Sequence, residues 1–252
     1  MNSILVTGCN RGLGLGLIKS LVKDPNPPTN IIATCRSTAK AKELCEIKEK
    51  YQNVHLLELE LEKPETFNSF AERVKDIVKE DGLNVLFNNA GYAPRTTKLT
   101  GVRTEDLMKA FEINTVAPMM LTKCLLPLIK LASEKNQDKP MGISRAAIIN
   151  MSSILSSITL NTKEADFNLG NYPYRCSKAG LNIFTRSLSI ELNQNCILVT
   201  CIHPGWVKTD MGGPRAALSV EDSIDQIMKF VKNLNNTHNG DFHDYGGDKL
   251  PW

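Results

Sequence analysis

Six short apolar runs rich in β-branched residues, separated by stretches with helical patterning, constrain this chain more than any other feature. They are SILVT (3–7), NIIATC (30–35), NVHLLELEL (53–61), LNVLFN (83–88), AAIINMS (146–152) and CILVTCI (196–202), with a weaker seventh at GDFHDY (240–245). Near-continuous apolar runs suit strands buried on both faces. The segments between them, such as GLGLIKSLVKD, AKAKELCEIKEKY and TFNSFAERVKDIVKE, are long enough to serve as helical crossovers. The alternation predicts an α/β Rossmann fold: a doubly wound, mostly parallel, seven-stranded sheet with helices on both faces. In such a sheet ligands bind beyond the carboxyl ends of the strands. The residues that follow each strand are therefore the ones to read for chemistry.

Composition narrows the class further. With 252 residues, 42% hydrophobic and 23% charged, and with no repeat or glycine-serine linker, residues 1–252 read as one domain with a sizeable core. A net charge of +3, spread among acidic neighbours, argues against a nucleic-acid surface. No run of membrane-spanning length and no signal-like start are evident, so no membrane partner is expected. The seven cysteines are odd in number and form no C-x-x-C pair, which favours neither a disulfide framework nor a zinc site. A reducing, cytoplasmic setting is expected.

The first strand runs into TGCNRGLG (7–14), with Gly8, Gly12 and Gly14 between a strand and an apolar helix. Glycines at such a turn let backbone N–H groups approach a pyrophosphate at the helix N-terminus. A tight connection alone would also use glycine, and the strand-turn-helix context favours the ligand reading. Farther on, YPYRCSK (172–178) places Tyr174 four residues before Lys178, so the two share a helix face, whereas Tyr172 has Cys176 at that spacing. Pro173 suits the first turn of that helix.

The T-G-x-x-x-G-x-G spacing resembles the cofactor motif of the short-chain dehydrogenase/reductase family, and other segments follow in the family's order. They are CR (35–36), NNAG (88–91), NTVAP (114–118), NMSS (150–153), YRCSK (174–178) and HPGWVKTDMGG (203–213). The resemblance extends over nearly the whole chain and implies a catalytic set of Ser153, Tyr174, Lys178 and Asn114. It also implies that Lys178 holds the nicotinamide ribose hydroxyls and that Asn114 helps hold a water near Lys178.

The resemblance likewise implies a cofactor site. The first turn would contribute Gly8, Asn10, Arg11, Gly12, Leu13 and Gly14. Cys35 stands where NAD-preferring members have an acid, and Arg36 follows it. With Arg11 in the glycine turn, two guanidinium groups can converge on a 2′-phosphate, so NADPH/NADP+ is the expected cofactor. Glu60 and Leu61 end the third strand at the adenine side, Asn89, Ala90 and Gly91 line the cofactor, and Tyr174 and Lys178 contact it. Pro204, Gly205, Val207 and Thr209 would close over the nicotinamide. Ser153 and Trp206 would face the substrate, with packing of Trp206 on the sheet edge an equal alternative. His203 is read as structural.

The chemistry asks for such a set. Hydride addition to a carbonyl creates negative charge on oxygen, which needs hydrogen-bond donors and a proton. An unperturbed tyrosine, with a pKa of about 10, is poorly matched to neutral pH. An ammonium roughly 5 Å away, at an effective dielectric of about 20, is expected to lower it by about two units. The resemblance implies an NADPH-dependent reductase of reactive aldehydes, ketones and quinones, protective under oxidative stress, with a small-molecule carbonyl substrate and a homodimeric assembly. Two other functions share these residues: a non-catalytic NADP-binding sensor or scaffold, and an NADP-dependent alcohol or steroid dehydrogenase. The residues LNTKEADFNLGN (160–171) are expected to form a polar loop at the pocket mouth.

Overall fold

The structure is a computed structural model and describes residues 1–94, 98–162 and 170–252. The strands are β1 (Ser3–Val6), β2 (Asn30–Cys35), β3 (Val54–Glu58), β4 (Val85–Asn88), β5 (Ala147–Met151), β6 (Leu198–His203), β7 (Phe242–Asp244) and β8 (Lys249–Leu250). They form one sheet in the order β3-β2-β1-β4-β5-β6-β7-β8. All pairings are parallel except β7 with β8, which is antiparallel. The doubly wound sheet expected from the sequence is present, with an eighth strand added. That strand is two residues long, too short to leave a periodic signal, and it follows a tight turn closed by Asp244 Oδ1, which accepts from Gly246 N and Asp248 N at 2.9 Å each.

Helices α1 (Gly12–Val22), α2 (Lys42–Lys50) and α7 (Val220–Lys232) cover one face; α3 (Phe67–Val78), α5 (Ala117–Lys135) and α6 (Tyr172–Glu191) cover the other. Strand side chains alternate between faces. Ile4, Val6, Val85 and Phe87 pack with Leu17, Ile18 and Ile227, while Leu5, Leu86 and Ile148 pack with Phe67, Val74, Leu121 and Ile129. Because both faces are covered, the strands read as unbroken apolar runs.

Helix α4 (Thr104–Phe111) continues through a π-helical turn, Glu112–Val116, into α5. The continuous helix Thr104–Lys135 is long and apolar enough by composition to cross a membrane, a length the reading of single apolar runs missed. Half of its most apolar stretch is buried within the protein, where Leu121, Leu125 and Ile129 are fully enclosed. That burial is how a core helix comes to match a membrane span in composition.

The winding reverses between β1 and β4, which are neighbours although two strands separate them in sequence. A crevice opens at such a reversal. The carboxyl ends of β1, β4, β5 and β6 all border it.

Candidate active site

The glycine turn is shaped by backbone needs. Gly8 and Gly12 have φ of +72° and +56°, which side chains rarely tolerate. Gly14 is required by contact instead: a Cβ there would lie 2.2 Å from Gly8 O and 2.7 Å from Asn89 Nδ2. Arg11 is the N-cap of α1 without a side-chain cap bond, and no acidic residue stands in the first turn. An uncapped helix start facing the crevice presents the positive end of the helix dipole to an anion.

The segment after β4 is tied to this turn. Thr7 Oγ1 accepts from Asn89 N and Ala90 N, both at 3.0 Å, and Asn89 Nδ2 donates to Thr7 O at 2.8 Å. Thr7 was not singled out by sequence reasoning, although its place before Gly8 in the motif is the signal that finds it. A Cβ on Gly91 would stand 3.4 Å from Asn114 Oδ1 and 3.5 Å from Lys178 Nζ, so this glycine leaves space beside both.

Asn114 lies in the π-helical turn and is fully buried. Its Nδ2 donates to Tyr92 O (2.7 Å) and Ser177 Oγ (2.9 Å), and its Oδ1 accepts from Tyr92 N (2.8 Å). Asn114 therefore joins the segment after β4 to α6. The extra residue of a π turn re-aims a side chain, and such turns occur often at functional sites.

Ser153 follows β5 in extended conformation and accepts from Leu155 N at 3.2 Å. Its side chain stands close enough to that of Tyr174 to favour the ionised phenol. Lys178 is 3% exposed, and its Nζ lies 5.9 Å from the Tyr174 ring centroid and donates to Met151 O at 2.7 Å. Ser153, Tyr174 and Lys178 are thus brought together from β5 and α6. Tyr172, in contrast, is 42% exposed at the helix start.

The electrostatics differ from the sequence expectation. Burial raises the Tyr174 hydroxyl above its ordinary value, and the nearby Ser153 side chain only partly offsets this. Lys178 is itself pushed down to about 8 by burial. Desolvation thus outweighs the attraction expected between the two groups, because Lys178 is enclosed, Tyr174 is half-buried and the ammonium is engaged by the Met151 carbonyl.

Arg36 is exposed beyond β2, while Glu60 pairs with Lys63 at 2.7 Å. Glu58, which sequence reasoning passed over, accepts from Thr38 N at 2.7 Å and Thr38 Oγ1 at 2.9 Å. It thereby orders the turn after Arg36, and the Thr38 N–H holds its carboxyl below the usual range. Arg11 forms an ion pair with Asp210 rather than pointing freely toward Arg36.

Asp210 belongs to the segment after β6, which folds back toward the first turn. Gly205 has φ of +81°, and a Cβ there would meet Leu218 Cδ1 at 2.4 Å. Pro204 O accepts from Ser223 Oγ (2.7 Å), Val207 is 4% exposed, and a Gly12 Cβ would meet Thr209 Cγ2 at 3.4 Å. Trp206 is 55% exposed and donates from Nε1 to Gly212 O at 2.8 Å. Its ring is held at the surface, not packed away on the sheet edge. His203 is half-buried and pushed down to about 4 by burial, so it is neutral near pH 7. Most of the expected polar loop at 160–171 lies outside the described residues.

The chain matches the short chain dehydrogenase family over residues 2–218. It belongs to that family. The structure of the carbonyl reductase Sniffer of D. melanogaster is similar, with 48% identity, a TM-score of 0.96 and complete coverage of both chains. An NADPH-bound carbonyl reductase from chicken fatty liver is 36% identical at a TM-score of 0.92, covering 100% of this chain and 99% of that one. Among curated proteins, the C-signal of Myxococcus xanthus is 34% identical over 170 residues, 68% of this chain and 93% of its own length.

Proposed function

We propose that this protein is an NADPH-dependent reductase of reactive aldehydes, ketones and quinones. Its membership in the family makes it an oxidoreductase, and its likeness to an NADPH-bound carbonyl reductase supports NADPH/NADP+ as the cofactor. The observation that carries the carbonyl reading is the convergence of Ser153, Tyr174 and Lys178 beside the space left at Gly91.

The residues fit the cofactor. Gly8, Gly12, Gly14 and the open start of α1 would hold its pyrophosphate, Arg36 its 2′-phosphate, and Lys178 its nicotinamide ribose. When bound, NADPH supplies the hydride. The protein's own groups supply the rest: Ser153 donates a hydrogen bond to the carbonyl oxygen, and Tyr174 delivers the proton as that oxygen becomes negative. The phenol, raised by burial, carries that proton at neutral pH. Lys178, whose Nζ lies 5.9 Å from the Tyr174 ring centroid, would replace that proton. Trp206, held at the rim, provides a flat wall for the substrate.

The chain works as one domain in this reading. All seven cysteines are free, which supports a cytoplasmic setting. A homodimer is the assembly proposed with it, and exposed apolar side chains on α4, α5 and α6, among them Met108, Met119, Ile183 and Ile190, support this.

The test is NADPH oxidation by the purified protein with an aromatic ortho-quinone and an α,β-unsaturated aldehyde, beside NADH. Turnover that prefers NADPH supports the proposal; tight NADPH binding with no turnover on any carbonyl overturns it. The second outcome would favour a binding or signalling protein, a reading to which the similarity with C-signal gives footing.

A further inference from the structure

A helix lying on a sheet usually presents it with apolar side chains. α6 departs from this pattern: Ser177, Lys178, Asn182, Thr185 and Ser189 are all buried, none more than 4% exposed. Burying polar groups costs stability unless each finds a partner. Ser177 meets Asn114, Lys178 meets the Met151 carbonyl, Thr185 receives Asn150 Nδ2 at 2.9 Å, and Ser189 bonds to the Arg186 carbonyl. The partners of Asn182 lead elsewhere.

Asn182 stands one turn beyond Lys178. Its Oδ1 accepts from Ser152 Oγ at 2.5 Å, and its Nδ2 donates to Ser156 Oγ at 2.7 Å. Ser156 Oγ in turn donates to Ser153 O at 2.5 Å. Ser153 is thereby bracketed, since the residue before it and its own carbonyl are anchored to a single amide. Each serine hydroxyl has one proton to give. Ser152 spends its proton on Asn182 and Ser156 spends its on Ser153, so the group that closes the chain must offer one acceptor and one donor. An amide does both. Leucine offers neither, and an ionised aspartate lacks the donor.

We infer that Asn182 is a positioning residue for Ser153, holding its backbone through Ser152 and Ser156 so that the Ser153 hydroxyl meets Tyr174. The inference rests on the carbonyl-reductase reading of the same site. It also accounts for Ser156 and Asn182 together: each is buried and polar, and each is satisfied by the other.

The test compares wild type, Asn182→Leu, Ser156→Ala and the double variant in NADPH oxidation with an ortho-quinone, with NADPH affinity measured separately by quenching of protein fluorescence. Misplacement of a reacting group predicts a kcat for Asn182→Leu lower by on the order of tenfold to a hundredfold. NADPH affinity should stay within about twofold, and the double variant should be no worse than Asn182→Leu, because both changes break one chain. A kcat per bound NADPH that is unchanged in both single variants overturns the inference, as does a double variant whose losses multiply. If Asn182→Leu does not fold, Ser156→Ala decides alone, since it removes one oxygen atom. Wild type that turns over no carbonyl removes the reductase reading and the inference with it; active wild type with unaffected variants removes only the role of Asn182.

Discussion

At the β1–α1 turn the site is built from absences: Gly8, Gly12 and Gly14 keep Cβ atoms out, and Arg11 and Arg36 lie at the surface. On α6 it is built from enclosed side chains, with Lys178, Asn182 and Ser177 at 4% exposure or less and each hydrogen-bonded. The proposed cofactor end therefore depends on space and exposed charge, and the proposed reacting end on buried groups in fixed directions. Substitutions at the first should act through cofactor affinity, and at the second through turnover, except at Lys178, which in the proposed function also holds the nicotinamide ribose.

The largest effect is expected at the reacting end. Tyr174→Phe removes the proposed general acid and should lower kcat by about 10²–10⁴-fold while NADPH still binds, measured by steady-state rates beside a binding titration. Equal losses in affinity and turnover would break the division between the two ends. Arg36→Ala tests the cofactor end: losing a charge-assisted bond of about 1.5–3 kcal/mol should cut the preference for NADPH over NADH by roughly tenfold to a hundredfold, leaving kcat at saturation intact.

A pH titration sharpens the contrast. Lys178 lies at about 8, so it carries its ammonium below that pH and loses it above. NADPH affinity of the wild type should therefore weaken as pH rises beyond about 8, and a Lys178→Met variant should bind weakly with no such slope. The smallest effect belongs to Asp210→Asn. Asp210 holds Arg11 in an exposed pair, and exposed pairs are weak, so freeing Arg11 should tighten NADPH binding by only about twofold to fivefold. A weaker affinity in that variant would show instead that Asp210 aligns the loop over the cofactor.

Much of this site was legible before the structure. Gly8, Gly12 and Gly14 announce themselves because no other residue serves there, and the spacing of Tyr174 and Lys178 follows from helix geometry. The strands were legible as well, since burial on both faces leaves uninterrupted apolar runs. Less legible were groups whose partners lie far away in sequence. The Ser152–Asn182 bond spans 30 residues and the Arg11–Asp210 pair 199. No local pattern marks Asn182 as different from any other asparagine on a helix. The electrostatics of Tyr174 also escaped local reasoning, because spacing places Lys178 nearby but does not reveal how far burial depresses both charged forms.

Local sequence determined the sheet, the glycine turn and the order in which the reacting groups occur along the chain, because backbone conformation and side-chain periodicity are properties of neighbours. Only the tertiary structure decided which way those groups point and how readily they ionise. Hydrogen-bond direction and desolvation depend on everything packed around an atom, and at Ser153 those surroundings come from β5, β6 and α6 together.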